Sequence, residues 1–548
     1  MKLIMQQVSS LEKIRGGKLG NVTQVGSATL LQGETFSYQI ALATSDRTAT
    51  VLTLESPLEQ YITLYSVKET PADFPVYAGA DDDYLIKEPG LMPDMLLPLC
   101  KDDLSVRTTE NVSAVWIKVD LPRNVPAGRY PVTVTATAGK KEDIAQVCQT
   151  LWLDVLKAEL PEQKTIFTQW FHVDCIADIH GVPVYSEEHW TLIDKYMALA
   201  SEVGINMILT PVITPPLDTA VGTTRPCTQL VKIEKKGEDY SFDFSLLDRW
   251  IALCEKNHMQ YFEISHLFSQ WGLEYAPNIM VTENGVESYH FGWHVKAQSE
   301  EYAHFMKQFI PALIAYLKEK GIKERCWFHM SDEPRVAHLD AYRYARDLVV
   351  PMLEGCHTMD ALSEYSFYEM GLVENPVTGT NHMDAFLEND VEHQWAYYCC
   401  SQYNLVGNRF LAMPSYRNRI LGLQIYKFNI EGFLQWGYNF YYAQLSRGLI
   451  NPYLTTSSDK AFPAGDPFSV YPVKDGVVPS LRALIFKEAL NDVEVCRKLE
   501  QYIGREKVVA MIDSYAGMDV SFTEYPRNTG YIPMLMEQMK AEIRKYEN

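Results

Sequence analysis

Long apolar runs are missing from this 548-residue chain. No stretch approaches the roughly 20 apolar residues that a membrane-crossing helix requires. The opening MKLIMQQVSSLEKIRGG holds an apolar run of only three, too short for the core of a secretory signal. A cytoplasmic location is the expectation, or a secreted or periplasmic one if a leader has been removed. Ordered cysteine spacing is also missing. Ten cysteines are scattered, with Cys399 and Cys400 adjacent and none arranged as C-x-x-C, so neither a zinc ribbon nor a disulfide scaffold is indicated. There is no G-x-S-x-G elbow, phosphate-binding glycine loop or dinucleotide fingerprint. Positive charge is scarce: 49 Lys and Arg stand against 70 Asp and Glu, a net charge of −21. Such a surface repels nucleic acid and anionic membranes, and it suits a neutral substrate better than a polyanionic one.

Metal ligands are sparse too. His290 and His294 are four apart in HFGWH, but Gly292 indicates a loop and no glutamate stands between them as in H-E-x-x-H. Cys254 and His258 share that spacing, and a buried cysteine with a helix-end histidine accounts for them. No metal and no cofactor are expected.

What is present is a change of grammar along the chain. At 548 residues, two or three domains are expected. Residues 1–157 show short alternating runs at Phe36–Ala43, Thr50–Leu54, Ile62–Val67, Val115–Leu121, Tyr130–Ala136 and Gln146–Val155, with turn residues between them. Six visible strands, and a seventh assumed, predict an N-terminal β-sandwich. Asp81-Asp82-Asp83 lacks the spaced ligands of a calcium loop and reads as a solvated turn. Lys157–Glu162 reads as a polar linker. Over residues 163–478, eight strand candidates interleave with helical periodicity, which predicts a (β/α)8 barrel. Residues 479–548 read as a helical, polar-faced extension packed on that barrel.

The barrel is organised around Cys326-Trp327-Phe328-His329-Met330-Ser331-Asp332-Glu333-Pro334. An apolar, aromatic strand ends in two neighbouring carboxylates, and a helix over about Val336–Met352 follows. Pro334 is expected to hold Glu333 extended. The plainer alternative is that Ser331 or Asp332 only caps that helix. Barrels place their chemistry at strand C-termini. The other strand ends supply His172 and Asp174, then Gln270-Trp271, His382 and Asp384, Trp395, Tyr397 and Tyr398, and Trp436, Tyr438 and Asn439. Carboxylates, an amide and flat rings suit a pyranose, which offers hydroxyls to polar groups and a C–H face to aromatics.

Conventional glycosidase carboxyls flank the scissile bond at about 5–5.5 Å or 6.5–9.5 Å apart and come from different strands. Neighbours in sequence fit another scheme, in which the 2-acetamido oxygen of the substrate attacks C1. Asp332 is then the orienter of the acetamido N–H and Glu333 the general acid/base. The proximity of Asp332 is expected to raise the pKa of Glu333.

The chain resembles glycoside hydrolase family 123 and the related domain-of-unknown-function family 4091. The resemblance is carried by Phe328–Pro334, by Gly432-Phe433-Leu434-Gln435-Trp436-Gly437-Tyr438-Asn439, by Gly465-Asp466-Pro467-Phe468-Ser469-Val470-Tyr471-Pro472 and by Pro479-Ser480-Leu481-Arg482. Trp116–Tyr130 is similar to the end of the family's N-terminal sandwich. The resemblance implies a sandwich followed by a barrel, with retaining exo-β-N-acetylgalactosaminidase chemistry on glycans ending in β-linked N-acetylhexosamine. It also implies that the Asp332–Glu333 pair works without a metal. The substrate-contact candidates are His172, Asp174, Trp271, His382, Asp384, Tyr398, Trp436, Tyr438 and Asn439. A glycosidase for another sugar using the same pair, and a non-catalytic glycan-binding barrel, are the alternatives.

Overall fold

The computed structural model describes every residue except 19, 141, 142 and 548. Alternating burial sets residues 3–159 into two five-stranded sheets. In spatial order, one holds Leu3–Ser9, Thr35–Thr44, Ser113–Asp120, Ile62–Ala72 and Gly90–Pro98. The other holds Ser27–Gln32, Asp143–Glu159, Gly128–Lys140, Thr48–Glu55 and Ser105–Thr108. Tyr38, Ile40, Val115 and Ile117 from the first pack with Val132, Val134, Leu151 and Leu153 from the second in one apolar core. Ten strands stand where sequence reasoning saw six and assumed a seventh. The four unseen strands are the two edges of each sheet. Edge strands pack on fewer neighbours and leave one side of their backbone unpaired, so their alternation is weaker.

Two further expectations are corrected here. The strand Asp143–Glu159 runs into the supposed linker, where Glu159 still pairs with Gln32. Asp81 and Asp83 do not form a solvated turn. Asp81 makes a two-pronged ion pair with the buried Arg417 at 2.8 and 2.9 Å, and Asp83 accepts from the Tyr416 hydroxyl. Both side chains pin the N-terminal region to the barrel.

Eight parallel strands close a barrel in chain order. They are β1 Ile166–Gln169, β2 Met207–Thr210, β3 Tyr261–Ile264, β4 Cys326–Phe328, β5 His357–Leu362, β6 Asn375–Gly379, β7 Trp395–Tyr397 and β8 Gly432–Gln435. β8 pairs back onto β1, leaving no edge. β6 lies four residues earlier than Gly379–Met383, the span expected for it. Pro376 inside it disguised the strand, since proline lacks the N–H that a ladder uses. The interior is filled by Ile166, Met207, Leu209, Trp327, Met359, Val377, Trp395 and Leu434. Gly432 is required by that filling: a Cβ there would lie 2.2 Å from the Trp395 ring.

Helices cover the barrel. The first eight are α1 Val173–His180, α2 Glu187–Glu202, α3 Ser245–Lys256, α4 Glu300–Glu319, α5 Leu339–Val349, α6 Tyr365–Glu369, α7 Asp384–Leu387 and α8 Tyr416–Lys427. An antiparallel-edged sheet of four short strands, Lys232–Lys236, Asp239–Asp243, Ile279–Glu283 and Val286–Phe291, is built from the loops after β2 and β3. Beyond the barrel come α9 Leu481–Ile503, α10 Arg505–Ala516 and α11 Tyr531–Arg544. The polar face expected of this segment is not exposed in α9, because Arg482, Glu488, Asp492 and Glu494 are all buried. They are tolerated because they are paired. Arg482 grips Asp94 at 2.7 and 2.8 Å, and Arg419 reaches both Glu488 and Asp492 at 2.8 Å. Asp94 lies on a sheet strand and Arg419 on α8, so α9 ties the N-terminal sheets to the barrel.

Candidate active site

β4 ends at Phe328, and residues 329–334 form a turn at the barrel mouth. The turn is tied on three sides. Trp271 N–H donates to the Asp332 carbonyl at 3.1 Å, Glu333 N–H to the Ala361 carbonyl at 3.1 Å, and Ser331 Oγ to the Ser269 carbonyl at 3.0 Å. Glu333 is not extended, as Pro334 had suggested. Its φ is +45°, the left-handed region that non-glycine residues seldom occupy. Such strain persists only where surrounding contacts over-determine it, and these do. Neither Ser331 nor Asp332 caps a helix: α5 starts at Leu339 with His338 before it.

Asp332 and Glu333 both line a pocket of about 600 Å³, counted out to solvent. Three indoles, Trp170, Trp271 and Trp436, share its wall with Tyr397 and Phe462. Asp218, Gln270, Cys399 and Cys400 line it too. Among the described residues, its lining includes three carboxylates and no lysine, arginine or histidine. The Tyr397 hydroxyl donates to Glu333 Oε1 at 2.8 Å. Burial, then the Glu333 charge, push Tyr397 well above the usual phenol range, so it remains a hydrogen-bond donor. Sequence reasoning placed an upward push on Glu333. The Asp332 carboxyl is raised well above the ordinary range by burial and then by the charge of Glu333.

Behind the pocket wall lies a second set of charges. Trp170 Nε1 donates to the fully buried Glu263 at 2.6 Å, and so does Thr168 Oγ1 at 2.6 Å. His329 Nε2 meets Glu263 at 2.7 Å, and His329 Nδ1 meets Asp360 at 3.3 Å. Asp360 also accepts from the backbone N–H of Met330 and Ser331 at 3.0 and 3.2 Å and from the Tyr342 hydroxyl. Burial by itself would lower the pKa of His329, but its bonds to Asp360 and Glu263 lift it to about 9. An imidazolium clasped by two carboxylates therefore sits three residues before Asp332 and braces its turn.

The structure divides the expected contact residues. Trp271 and Trp436 line the pocket beside Asp332 and Glu333, and the Trp436 indole is fixed by a 2.9 Å bond to Asp466. The others lie elsewhere. β1 stops at Gln169, so His172 and Asp174 fall at the start of α1, outside the pocket wall. There Arg225 grips Asp174 at 2.6 and 2.7 Å and donates to His172 Nδ1 at 3.1 Å, with all three buried. Asn439 exchanges hydrogen bonds with the His172 backbone, and Tyr438 donates to the Tyr196 carbonyl. Tyr398 packs on Phe433 and reaches Asn418 of α8. His382 and Asp384 are exposed and off the pocket. Tyr397 and Gln270 were seen at strand ends but passed over. Asp218 lies in the long loop after β2 and carries no sequence motif.

A closed (β/α)8 barrel with a carboxylate pair and aromatic walls at its strand C-terminal mouth defines a class of carbohydrate-cleaving enzyme. The chain belongs to glycoside hydrolase family 123, whose catalytic-domain model matches residues 170–499. Its fold is similar, end to end, to that of a family 123 glycoside hydrolase from Clostridium perfringens described for glycolipid glycan hydrolysis. That likeness has a TM-score of 0.74 and 16% identity, and covers 100% of this chain and 98% of the other. A β-glucuronidase of Parabacteroides merdae, at 10% identity, gives a TM-score of only 0.31 over 89% of this chain and 51% of its own. Comparison with curated protein sequences finds no match.

Proposed function

We propose that this family 123 hydrolase is a retaining exo-β-N-acetylgalactosaminidase that uses the acetamido group of its substrate as nucleophile. The observation that carries the proposal is that two sequence-adjacent carboxylates open into one aromatic-walled pocket. Neighbours in sequence are poorly placed to flank a sugar from opposite faces, as a conventional nucleophile and acid must. In substrate-assisted cleavage the attack on the face opposite the leaving group comes from the sugar's own acetamido oxygen, so no carboxylate has to stand there as nucleophile. Glu333 protonates the leaving oxygen while the acetamido oxygen closes on C1. Asp332 accepts the acetamido N–H as positive charge builds on the closing ring. Glu333 then takes a proton from the water that opens the ring again, which restores the β-configuration. Tyr397 holds one oxygen of Glu333, and among the described residues the other accepts no hydrogen bond. The glycolipid glycan attributed to the Clostridium perfringens enzyme is a reasonable class of natural substrate, with the sugar in the pocket and the aglycone outside.

The test is hydrolysis of an aryl β-N-acetylgalactosaminide together with inhibition by a thiazoline analogue of the cyclised intermediate. Cleavage with tight inhibition supports acetamido participation. Cleavage only of glycosides that lack an acetamido group would assign the same pair to a different sugar. Saturable binding without turnover across pH would make the barrel a glycan-binding module.

A further inference from the structure

Asp218 is the acid in the pocket that the chemistry above leaves unused. Three loops converge to place it. Its backbone N–H donates to the side-chain oxygen of Gln270, in the loop after β3. Its Oδ2 accepts from Leu445 N–H at 3.0 Å, and its carbonyl accepts from Ser446 Oγ at 2.6 Å, both in the loop after β8. Asp218 itself has a φ of +41°, and Leu445 and Ser446 lie at +60° and +52°. Three non-glycine residues in the left-handed region, tied to one another, are costly unless the placement they secure is useful. What they secure is the other oxygen. Among the described residues Oδ1 accepts no hydrogen bond, and the residue lines the same pocket as Asp332 and Glu333. Arg225 and Arg447 act on it through space, but among the described residues neither forms an ion pair with it. Burial pushes its carboxyl up to about 6 in spite of them, so it is ionised at neutral pH.

We infer that Asp218 is a specificity-determining residue whose free oxygen accepts a hydrogen bond from a ring hydroxyl of the sugar in the pocket. The inference rests on the reading that a pyranose enters with C1 at the acid pair. Asp218 lies within electrostatic reach of Asp332, the residue assigned to the C2 substituent. Both residues line one pocket, so the hydroxyls taken as candidates are those next to C2 along the ring, at C3 and C4, with the C6 hydroxyl as the control. A carboxylate acceptor rewards a hydroxyl and repels a sulfate ester or a free carboxylate in the same place.

The experiment is a matrix of two proteins and four substrates. Wild type and Asp218→Asn are assayed on the aryl β-N-acetylgalactosaminide and on its 3-, 4- and 6-deoxy forms. In wild type, removing the hydroxyl at C3 or C4 is expected to lower kcat/KM by roughly 10–100-fold, the range for a hydrogen bond to a charged group. In Asp218→Asn the same removal is expected to cost less than about threefold, because the partner is already weakened. The variant's loss on the full sugar should fall mainly on KM. A residue that only shapes the loop would lower all four rates together and leave the deoxy penalties intact, which overturns the inference. So does a wild type indifferent to the C3 and C4 hydroxyls, a result that needs no variant. If wild type spares the N-acetylgalactosaminide but cleaves another aryl glycoside, the substrate proposal fails by itself. The matrix on that sugar's deoxy series then decides Asp218 separately. If nothing is cleaved, calorimetric affinities of the same compounds decide it by the same penalties.

Discussion

Two sets of carboxylates occupy one barrel and meet opposite fates. Glu263 and Asp360, behind the pocket wall, have both oxygens engaged and share a protonated histidine between them. Asp218, Asp332 and Glu333, at the mouth, face a pocket whose lining holds no cationic side chain. A buried charge is expensive unless paired, and the inner set is paired. Burial raises the carboxyl of Asp360 as it does those of Asp332 and Asp218, so what sets the outer acids apart is their lack of a cationic partner and the strained backbone at Glu333 and Asp218. Pairing marks the acids that hold the fold. Its absence, with strain, marks the acids available for chemistry.

The largest expected effect is on turnover at the mouth. Glu333→Gln keeps the size of the side chain and removes the proton that the proposed mechanism has it give and take. It should lower kcat on the aryl glycoside by about 10²–10⁴, the range for a general acid/base. The thermal midpoint should hardly move, since no paired charge is broken. An unfolding midpoint that collapses with the activity would place Glu333 with the inner set. The acid limb of kcat/KM sharpens the contrast. The proposed mechanism needs Asp332 as an anion, and its pKa is raised, so activity should fade at a higher pH than an ordinary carboxylate near about 3.9 would allow. A wild-type limb at or below that value breaks the assignment.

The inner set should respond in stability. Replacing His329 with leucine leaves Glu263 and Asp360 buried without their cation and should cost about 3–5 kcal/mol in urea unfolding. Wild-type stability should also depend on pH. A histidine whose folded pKa is about 9, against about 6.5 unfolded, contributes fully below 6.5, and the contribution is lost as pH rises through about 9. Thermal melts between pH 6 and 10 should show that decline in wild type and not in the variant. A flat wild-type profile would mean that the imidazole is neutral and the clasp is not ionic.

Much of this was readable in the chain. Seven of the eight barrel strands and the acid pair are legible as apolar runs followed by polar ends, while the span expected for β6 meets the strand only at Gly379, and the motifs around Asp332 and Trp436 point to the family. What failed was local geometry. Tyr397 and Tyr398 are adjacent, and strand alternation sends one to the pocket and the other onto α8. Sequence supplies the period but not its phase. His172 and Asp174 looked like strand-end residues because nothing in the sequence shows β1 stopping at Gln169. Their partner Arg225 is some 50 positions away. Glu333 was misjudged because a proline's restraint on the preceding residue is a preference that three hydrogen bonds override. Asp218 was invisible because its position depends on contacts with two distant loops.

Smaller effects test where the pocket ends. Trp436→Ala should raise KM by roughly tenfold, consistent with an aromatic contact worth about 0.5–1.5 kcal/mol. The smallest effects are expected at His382 and Asp384. The His382 ring bonds to its neighbour Asn381 at 2.7 Å, its backbone N–H donates to the Gly379 carbonyl, and Asp384 opens the short helix α7. Both are exposed, and neither reaches the pocket. Exposed substitutions away from paired charges typically change stability by within about 0.5 kcal/mol. His382→Ala and Asp384→Ala should therefore leave both kcat/KM on a small aryl glycoside and the unfolding midpoint near wild type. A natural glycan extends beyond the first sugar, and α7 follows directly from β6 at the same end of the barrel. If either variant slows a long glycan while sparing the aryl glycoside, the outer loop contacts the aglycone, and the division between mouth and surface has been drawn too close to the acid pair. If both substrates are unaffected, recognition is confined to the aromatic walls and the three unpaired acids.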